Sequence, residues 1–232
     1  MSYFESIFET NITGAIDVIF ELGSRDILDA IKLHNRYRSK VYAFECNPDC
    51  LEQCEINYKN IDEYTRSKIT LVKNAVCETN GPVSFFPFDL SKYDNMGSSS
   101  MLKIDFSRRT TADPDYNRPN PQKEIVVEGI RLDTFMDNNN INNVDMLCID
   151  LQGYELCALK SMGSKLNSVK YIITECSIDN TYINGANFVE LDNYLKSYGF
   201  EYRCSNSSGY NYPDVNCSGL SEFDALFINT CL

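Results

Sequence analysis

Two acidic residues and a glycine near the start of the chain are spaced to hold a nucleoside. Glu21, Gly23, Ser24 and Asp26 close the run Val18-Ile-Phe-Glu-Leu-Gly-Ser-Arg-Asp26, and Glu45 closes Val41-Tyr-Ala-Phe-Glu-Cys-Asn47, 22 residues after Gly23. An apolar run that ends in an acid and a glycine and then opens into a helical pattern reads as the start of a βαβ unit. A carboxylate at the tip of its second strand reaches ribose hydroxyls, and Gly23 lets the backbone pass close beneath the ligand.

The glycines narrow the ligand further. A dinucleotide needs G-x-G-x-x-G, because its pyrophosphate sits against bare backbone at a helix N-terminus. Here Gly23 stands alone before Ser-Arg-Asp-Ile-Leu, and no P-loop Gly-Lys-Ser/Thr occurs. A ligand with a ribose and no phosphate fits better, and S-adenosylmethionine is the common one. Glu21 and Asp26 supply negative charge near where its amino and sulfonium groups would lie.

The elements that position these groups follow from the alternation of apolar runs and helical patterns, which reads as an α/β fold with a mostly parallel sheet covered on both faces. Strands are expected at 16–22, 41–45, 69–76, 81–87, 126–130, 144–149, 170–174, 200–203 and 224–229. Helices are expected at 26–35, 49–58, 132–138, 155–162 and 188–198, with Asn47-Pro48 opening the second. In open sheets of this kind ligands sit beyond the carboxyl ends of the strands. Glu21, Glu45, Asn74, Asp150 and Glu175 each stand at such an end. The expected cofactor set is therefore Glu21, Gly23, Ser24, Asp26, Glu45, Asn47, Asn74, Ala75 and Asp150.

Two stretches break the pattern. Residues 91–123 have little periodicity, and residues 205–221 mix Tyr210 and Tyr212 with Ser, Asn and Gly. Loops of this length are lids or binding loops where they are ordered. Aromatic faces among hydrogen-bonding side chains suit a sugar, so Ser99 and Arg108 from the first loop and Tyr210 and Tyr212 from the second are the expected acceptor contacts.

Composition excludes several classes. The chain has 232 residues, 43% of them hydrophobic and 23% charged, which is globular and agrees with a single domain over 1–232. A formal charge of −12 argues against nucleic acid as a partner. No apolar stretch approaches the roughly 20 residues of a membrane span, and Met-Ser-Tyr-Phe-Glu-Ser does not read as a signal peptide, so the expected location is the cytoplasm. Ten cysteines without a C-x-x-C pair, and a single histidine (His34, placed mid-helix and read as structural), point to packed thiols and not to zinc.

Read in order, these landmarks resemble the FkbM-type methyltransferase family from about Ile16 to Asn229. The matching segments include Val18–Gly23, Val41-Tyr-Ala-Phe-Glu-Cys-Asn-Pro48, Gly97-Ser-Ser-Ser-Met-Leu102, Ile130-Arg-Leu-Asp-Thr-Phe135, Val144-Asp-Met-Leu-Cys-Ile-Asp-Leu-Gln-Gly-Tyr-Glu155 and Tyr171-Ile-Ile-Thr-Glu175. The resemblance implies a Rossmann-like class I methyltransferase with a seven-stranded, mostly parallel sheet and helices on both faces. It also implies S-adenosylmethionine-dependent O-methylation, often of a sugar or natural-product hydroxyl. The family usually carries Asp-x-Glu-Gly-x-Glu after the fourth strand, whereas this chain has Gln152 in the middle of Asp150-Leu-Gln-Gly-Tyr-Glu155. Gln152 keeps the size and the hydrogen-bonding tip and loses the charge.

Methyl transfer from a sulfonium needs alignment first and a proton acceptor second. Asp150 is the expected base and Glu175 the next candidate, while a divalent metal that lowers the acceptor's pKa is the less favoured alternative. The rival from another class is a non-catalytic module of the same fold that supports a glycan-processing partner. A third reading replaces the glycan with a small natural product.

Overall fold

The computed structural model describes residues 3–91, 96–108, 122–178, 181–214 and 222–232, without the side chains of Met96 and Arg108. Its strands in chain order are β1 (Val18–Leu22), β2 (Lys40–Phe44), β3 (Ile69–Val72), β4 (Ala75–Val76), β5 (Gly81–Phe85), β6 (Ile125–Ile130), β7 (Met146–Ile149), β8 (Tyr171–Ser177), β9 (Phe200–Ser205) and β10 (Glu222–Asn229). Seven of them form one sheet in the order β3-β2-β1-β7-β8-β10-β9. β3 through β8 run parallel along that order, and β10 pairs antiparallel with both β8 and β9. The connection reverses direction between β1 and β7, and a cleft opens where two such strands send their chains to opposite sides.

Side chains alternate between two apolar layers, as strand geometry requires. Phe20, Leu22, Tyr42 and Phe44 face one layer, with α5 (Leu132–Asn138), α6 (Glu155–Lys160) and α7 (Phe188–Lys196) contributing Leu132, Phe135, Leu159, Phe188 and Leu191. Ile19, Val41 and Ala43 face the other. There α2 (Leu28–Tyr37) and α3 (Pro48–Asn60) supply Ala30, Leu33 and Cys54, and Phe8 of the single-turn α1 (Ser6–Glu9) closes the layer. β7 is buried on both faces along its whole length, which is why its sequence reads as an unbroken apolar run.

Most expected elements appear within a few residues, and α5 spans 132–138 as expected. Asn47 caps α3 by accepting from the Asp49 N–H at 3.2 Å, with Pro48 in the first helical position. Three departures have physical causes. The expected strand 69–76 breaks at Lys73-Asn74, so only β3 joins the main sheet, and β4 pairs with β6 in a separate three-stranded flap. The expected strand 81–87 lies antiparallel to β6 and pairs with neither β3 nor β4; β5 and β6 bury only one face each, and Val126 stays 71% exposed. A short helix, α4 (Glu63–Lys68), was not expected; Asp62 caps it through bonds from the Thr65 amide and hydroxyl. Cys46 precedes α3 and does not share its face, whereas Cys50 and Cys54 are buried on it. Among the described residues no helix is long and apolar enough to cross a membrane.

Candidate active site

The exits of β1 and β7 touch. Gly23 has φ +89°, and a Cβ placed there would lie 1.9 Å from the Asp150 carbonyl oxygen, so only glycine fits. The amides of Gly23 and Ser24 both donate to the Phe44 carbonyl, at 3.0 and 2.9 Å, which ties the first loop to the end of β2. The cleft above these exits encloses about 900 Å³ of empty space, part of it open to solvent, within the range of small-molecule sites. All nine residues expected at a cofactor line it: Glu21, Gly23, Ser24 and Asp26, Glu45 and Asn47, Asn74 and Ala75, and Asp150.

Glu45 is buried and already engaged. Its Oε2 accepts from the Arg25 amide at 2.8 Å, and its Oε1 from the Cys46 and Asn47 amides at 2.8 and 2.7 Å. Burial raises its pKa, and these three backbone N–H groups oppose the rise. A carboxylate offers about four acceptor sites, so the one left, on Oε2, suits a single ribose hydroxyl. Glu21 is different. Burial pushes its carboxyl up to about 8, and its Oε2 and the Ser24 hydroxyl are buried without a hydrogen-bond partner. Orphaned polar atoms on one cleft wall are what a ligand site leaves behind, and a carboxyl of this kind suits a cationic ligand. Arg25 also lines the cleft and pairs with Asp26 at 3.4 Å.

Across the cleft, the turn after β7 is held from several sides. Gln152 has φ +54° and Gly153 φ +92°, and a Cβ on Gly153 would press the Tyr182 ring at 3.0 Å. Glu155, the first residue of α6, reaches back so that its Oε1 accepts from the Leu151 and Gly153 amides at 2.9 and 3.1 Å. Burial raises the Glu155 carboxyl to about 7. Helix α6 begins only at Glu155 with no side-chain cap, so Asp150 does not serve as its cap.

Gln152 joins the two expected catalytic carboxyls. Its Nε2 donates to Asp150 Oδ1 at 2.8 Å and to Glu175 Oε2 at 2.9 Å. The Tyr182 hydroxyl lies 2.9 Å from Gln152 Oε1 and 3.1 Å from the Ser98 carbonyl, and its one proton serves both acceptors. Burial and the charge of Asp150 push Glu175 up to about 10. Burial also raises Asp150, against the hydrogen bond from Gln152. Asp150 and Gln152 line the cleft, and Glu175 stands behind them.

The loop expectations divide. Gly97, Ser99 and Met101 line the cleft, and Ser99 Oγ accepts from Asn47 Nδ2 at 3.3 Å and the Phe88 amide at 3.2 Å, which puts it beside Asn47 on the cleft wall. Ser100 Oγ donates to the Gln152 carbonyl at 2.8 Å. Arg108 ends a single 3₁₀ turn, Phe106–Arg108, and its side chain falls outside the described residues, as do 92–95 and 109–121 of the expected lid. Tyr210 and Tyr212 are not on the cleft. Tyr210 accepts from Asn11 Nδ2 and lies under Arg203, while Tyr212 packs on Phe188 and Tyr202 and donates to Asp192. Each ring packs against the protein's own side chains and stays more than half exposed; residues 215–221 of that loop lie outside the described residues.

Sequence reasoning missed Tyr182 and Tyr3. Tyr182 sits in an irregular stretch with no motif around it, and Tyr3, buried on the cleft wall, comes from a segment without periodicity. His34 is structural as expected: it is buried in α2 with Nδ1 2.7 Å from the Ser39 carbonyl.

Comparison with known proteins agrees with this geometry. The family model described as the Methyltransferase FkbM domain matches residues 20–202. The curated 2-O-methyltransferase NoeI of Sinorhizobium fredii is 26% identical over 170 residues, covering 71% of this chain; the chain spans 65% of the length of that relative. Among solved structures, M. capricolum TrmK in complex with S-adenosyl-homocysteine shares the fold, with a TM-score of 0.51 at 12% identity over 99% of this chain and 69% of that one. With its family match running from within β1 into β9, the chain belongs to the FkbM methyltransferase domain family, whose methyl donor is S-adenosylmethionine.

Proposed function

We propose that this chain is an O-methyltransferase that modifies a sugar hydroxyl of a glycan. The observation that carries the reading is a carboxylate, Asp150, on the wall of the cleft at the tip of β7, across from the Glu21 and Glu45 side. The 2-O-methyltransferase among its relatives supports oxygen as the acceptor atom. When bound, S-adenosylmethionine supplies an electrophilic methyl carbon on a sulfonium that leaves as a neutral thioether.

The chain's own residues do the rest. Glu21, buried and with an oxygen unpaired, takes up the cofactor's positive charge, and Glu45 Oε2 accepts from a ribose hydroxyl. The acceptor oxygen is held behind the methyl carbon, which supplies most of the acceleration. Asp150 accepts the hydroxyl proton as the oxygen attacks. A sugar hydroxyl is a weak nucleophile while protonated, and a positioned base contributes ~10²–10⁴-fold. Glu175, raised to about 10, keeps its own proton at neutral pH, which leaves Asp150 as the proton acceptor of the two. The raised Asp150 pKa makes it a stronger base than an exposed aspartate. A cation placed between the two carboxyls would first have to displace the Gln152 amide.

The test is incubation with S-adenosylmethionine and a panel of rhamnose, fucose and xylose glycans, read by mass spectrometry and by S-adenosyl-homocysteine release. One methyl gained on a sugar oxygen, insensitive to EDTA, is the expected result. Turnover confined to small natural-product hydroxyls would move the acceptor class. Cofactor binding without turnover on any hydroxyl would overturn the reading in favour of a non-catalytic module.

A further inference from the structure

Gln152 stands between two carboxyls and a phenol, and its side chain makes contacts that a glutamate could not make. Both N–H groups of the amide are used, one on Asp150 and one on Glu175. The Tyr182 hydroxyl lies 2.9 Å from the amide oxygen and both carboxyls lie on the amide nitrogen, which together set the end of the amide that points at the carboxyls. A third carboxylate here would crowd Asp150 and Glu175 and would require an extra proton or a cation to neutralise it. An amide requires neither. The backbone at Gln152 is left-handed, a conformation that glycine would adopt without strain. Strain kept beneath a side chain this engaged points to a use for the side chain.

We propose that Gln152 is the positioning residue of the transfer site: its amide, in place of a third carboxylate, fixes the Asp150 carboxylate on the cleft wall and ties it to Glu175. This rests on the reading of Asp150 as the acceptor's base. Charged groups press on Asp150 from several elements. The positive amino terminus of the chain and Arg25 from the first loop favour its charge, and Asp29 on α2 opposes it. Glu45 at β2, Glu155 on α6 and Glu175 on β8 also feel and return its charge. Tyr3 and Tyr182 stay uncharged at neutral pH because burial raises both phenols. Against the acidic groups in this surround, the hydrogen bond from Gln152 favours the charged form of Asp150.

The experiment compares wild type with Gln152→Gly, which suits the backbone, and Gln152→Glu, which keeps the volume if the glycine variant folds poorly. The Asp150 carboxyl is followed by carbon NMR, assigned by its absence in Asp150→Asn, alongside the pH profile of kcat and calorimetric cofactor affinity. In both variants the Asp150 titration is expected to move upward, kcat at neutral pH to fall roughly tenfold, and cofactor affinity to hold within about twofold. Tyr182→Phe, which frees the amide to turn, should move the titration the same way by less. An unmoved Asp150 titration in a folded variant overturns the proposal. A titration that moves while the rate profile stays in place upholds the positioning role and rejects Asp150 as the base.

Discussion

Glu45 and Glu175 stand at the carboxyl ends of β2 and β8, both buried, and they do opposite things. Glu45 is wrapped by three backbone N–H groups within 2.8 Å, whereas Gln152 is the partner that donates to Glu175, at 2.9 Å. Burial raises both. Backbone donors then draw Glu45 back, while the neighbouring charge of Asp150 drives Glu175 up to about 10. A strand-tip position brings a carboxyl to the cleft; the donors around it decide whether it is an anion or an acid. The Glu45 side, proposed for the cofactor, is built from backbone, and the Glu175 side, proposed for the acceptor, from side chains that one substitution can change.

The largest effect should come from breaking that division on the acceptor side. Asp150→Asn keeps size and removes the basic lone pair, so turnover is expected to fall by about 10²-fold or more, with cofactor affinity little changed. Glu175→Gln replaces an already neutral acid with a neutral amide and should cost only a few-fold. Steady-state rates of the two variants side by side are the measurement, and equal losses would erase the difference drawn between the two carboxyls.

On the cofactor side the expected loss is in binding and folding together. Glu45→Ala leaves three loop amides without their acceptor, and losing the ribose bond alone should weaken S-adenosylmethionine by about 1–3 kcal/mol. Denaturant melts should show an added loss of stability of similar size. Calorimetry and melts on the same preparation separate the two. Weakened binding with unaltered stability would mean that the backbone bonds are dispensable and that the ribose is Glu45's main partner.

A smaller, pH-dependent effect tests the buried acids as a group. Glu21, Glu155 and Glu175 are raised by burial to about 8, 7 and 10, against 4.5 in the unfolded chain. Above pH 4.5 the unfolded chain releases protons that the folded chain keeps, so stability falls as pH rises until each folded pKa is passed. Asp133 and Asp145 are held below 3.8 by Arg131 and Lys170, and their contribution is lost only in acid. Melting temperature is therefore expected to be higher at pH 5.5 than at pH 8.5. Added S-adenosylmethionine should flatten the slope, because its positive charge favours ionised Glu21. A melting temperature that climbs across that range would contradict the assignment of held protons.

The cofactor side was legible in the sequence because strand periodicity and one glycine suffice to place Glu21, Gly23 and Glu45. Gly23 also has a reason that the sequence does not show: the Asp150 carbonyl excludes a Cβ there. Asp150 and Glu175 were legible as strand tips, but the bond that joins them runs through Gln152 and Tyr182, 30 residues apart in the chain. Contacts of that kind leave no periodic trace. The separate flap was not legible, because half-buried strands such as β5 and β6 look the same in sequence whether they extend the main sheet or pair with each other.

The smallest effects belong to the two tyrosines that composition assigned to a sugar. Tyr212→Phe withdraws a hydroxyl from Asp192, a buried carboxylate that also pairs with Lys196, and should cost about 1–3 kcal/mol of stability. Tyr210 is exposed, and Tyr210→Ala should change stability by no more than about 0.5 kcal/mol. Neither ring lines the cleft, so kcat and the acceptor KM should stay within about twofold of wild type, the scale of a minor surface change. The informative measurement is KM for a long glycan against KM for a monosaccharide. A rise for the glycan alone in Tyr210→Ala, with stability unaltered, would mean that an extended acceptor leaves the cleft and crosses the 205–221 loop, returning that loop to the binding surface.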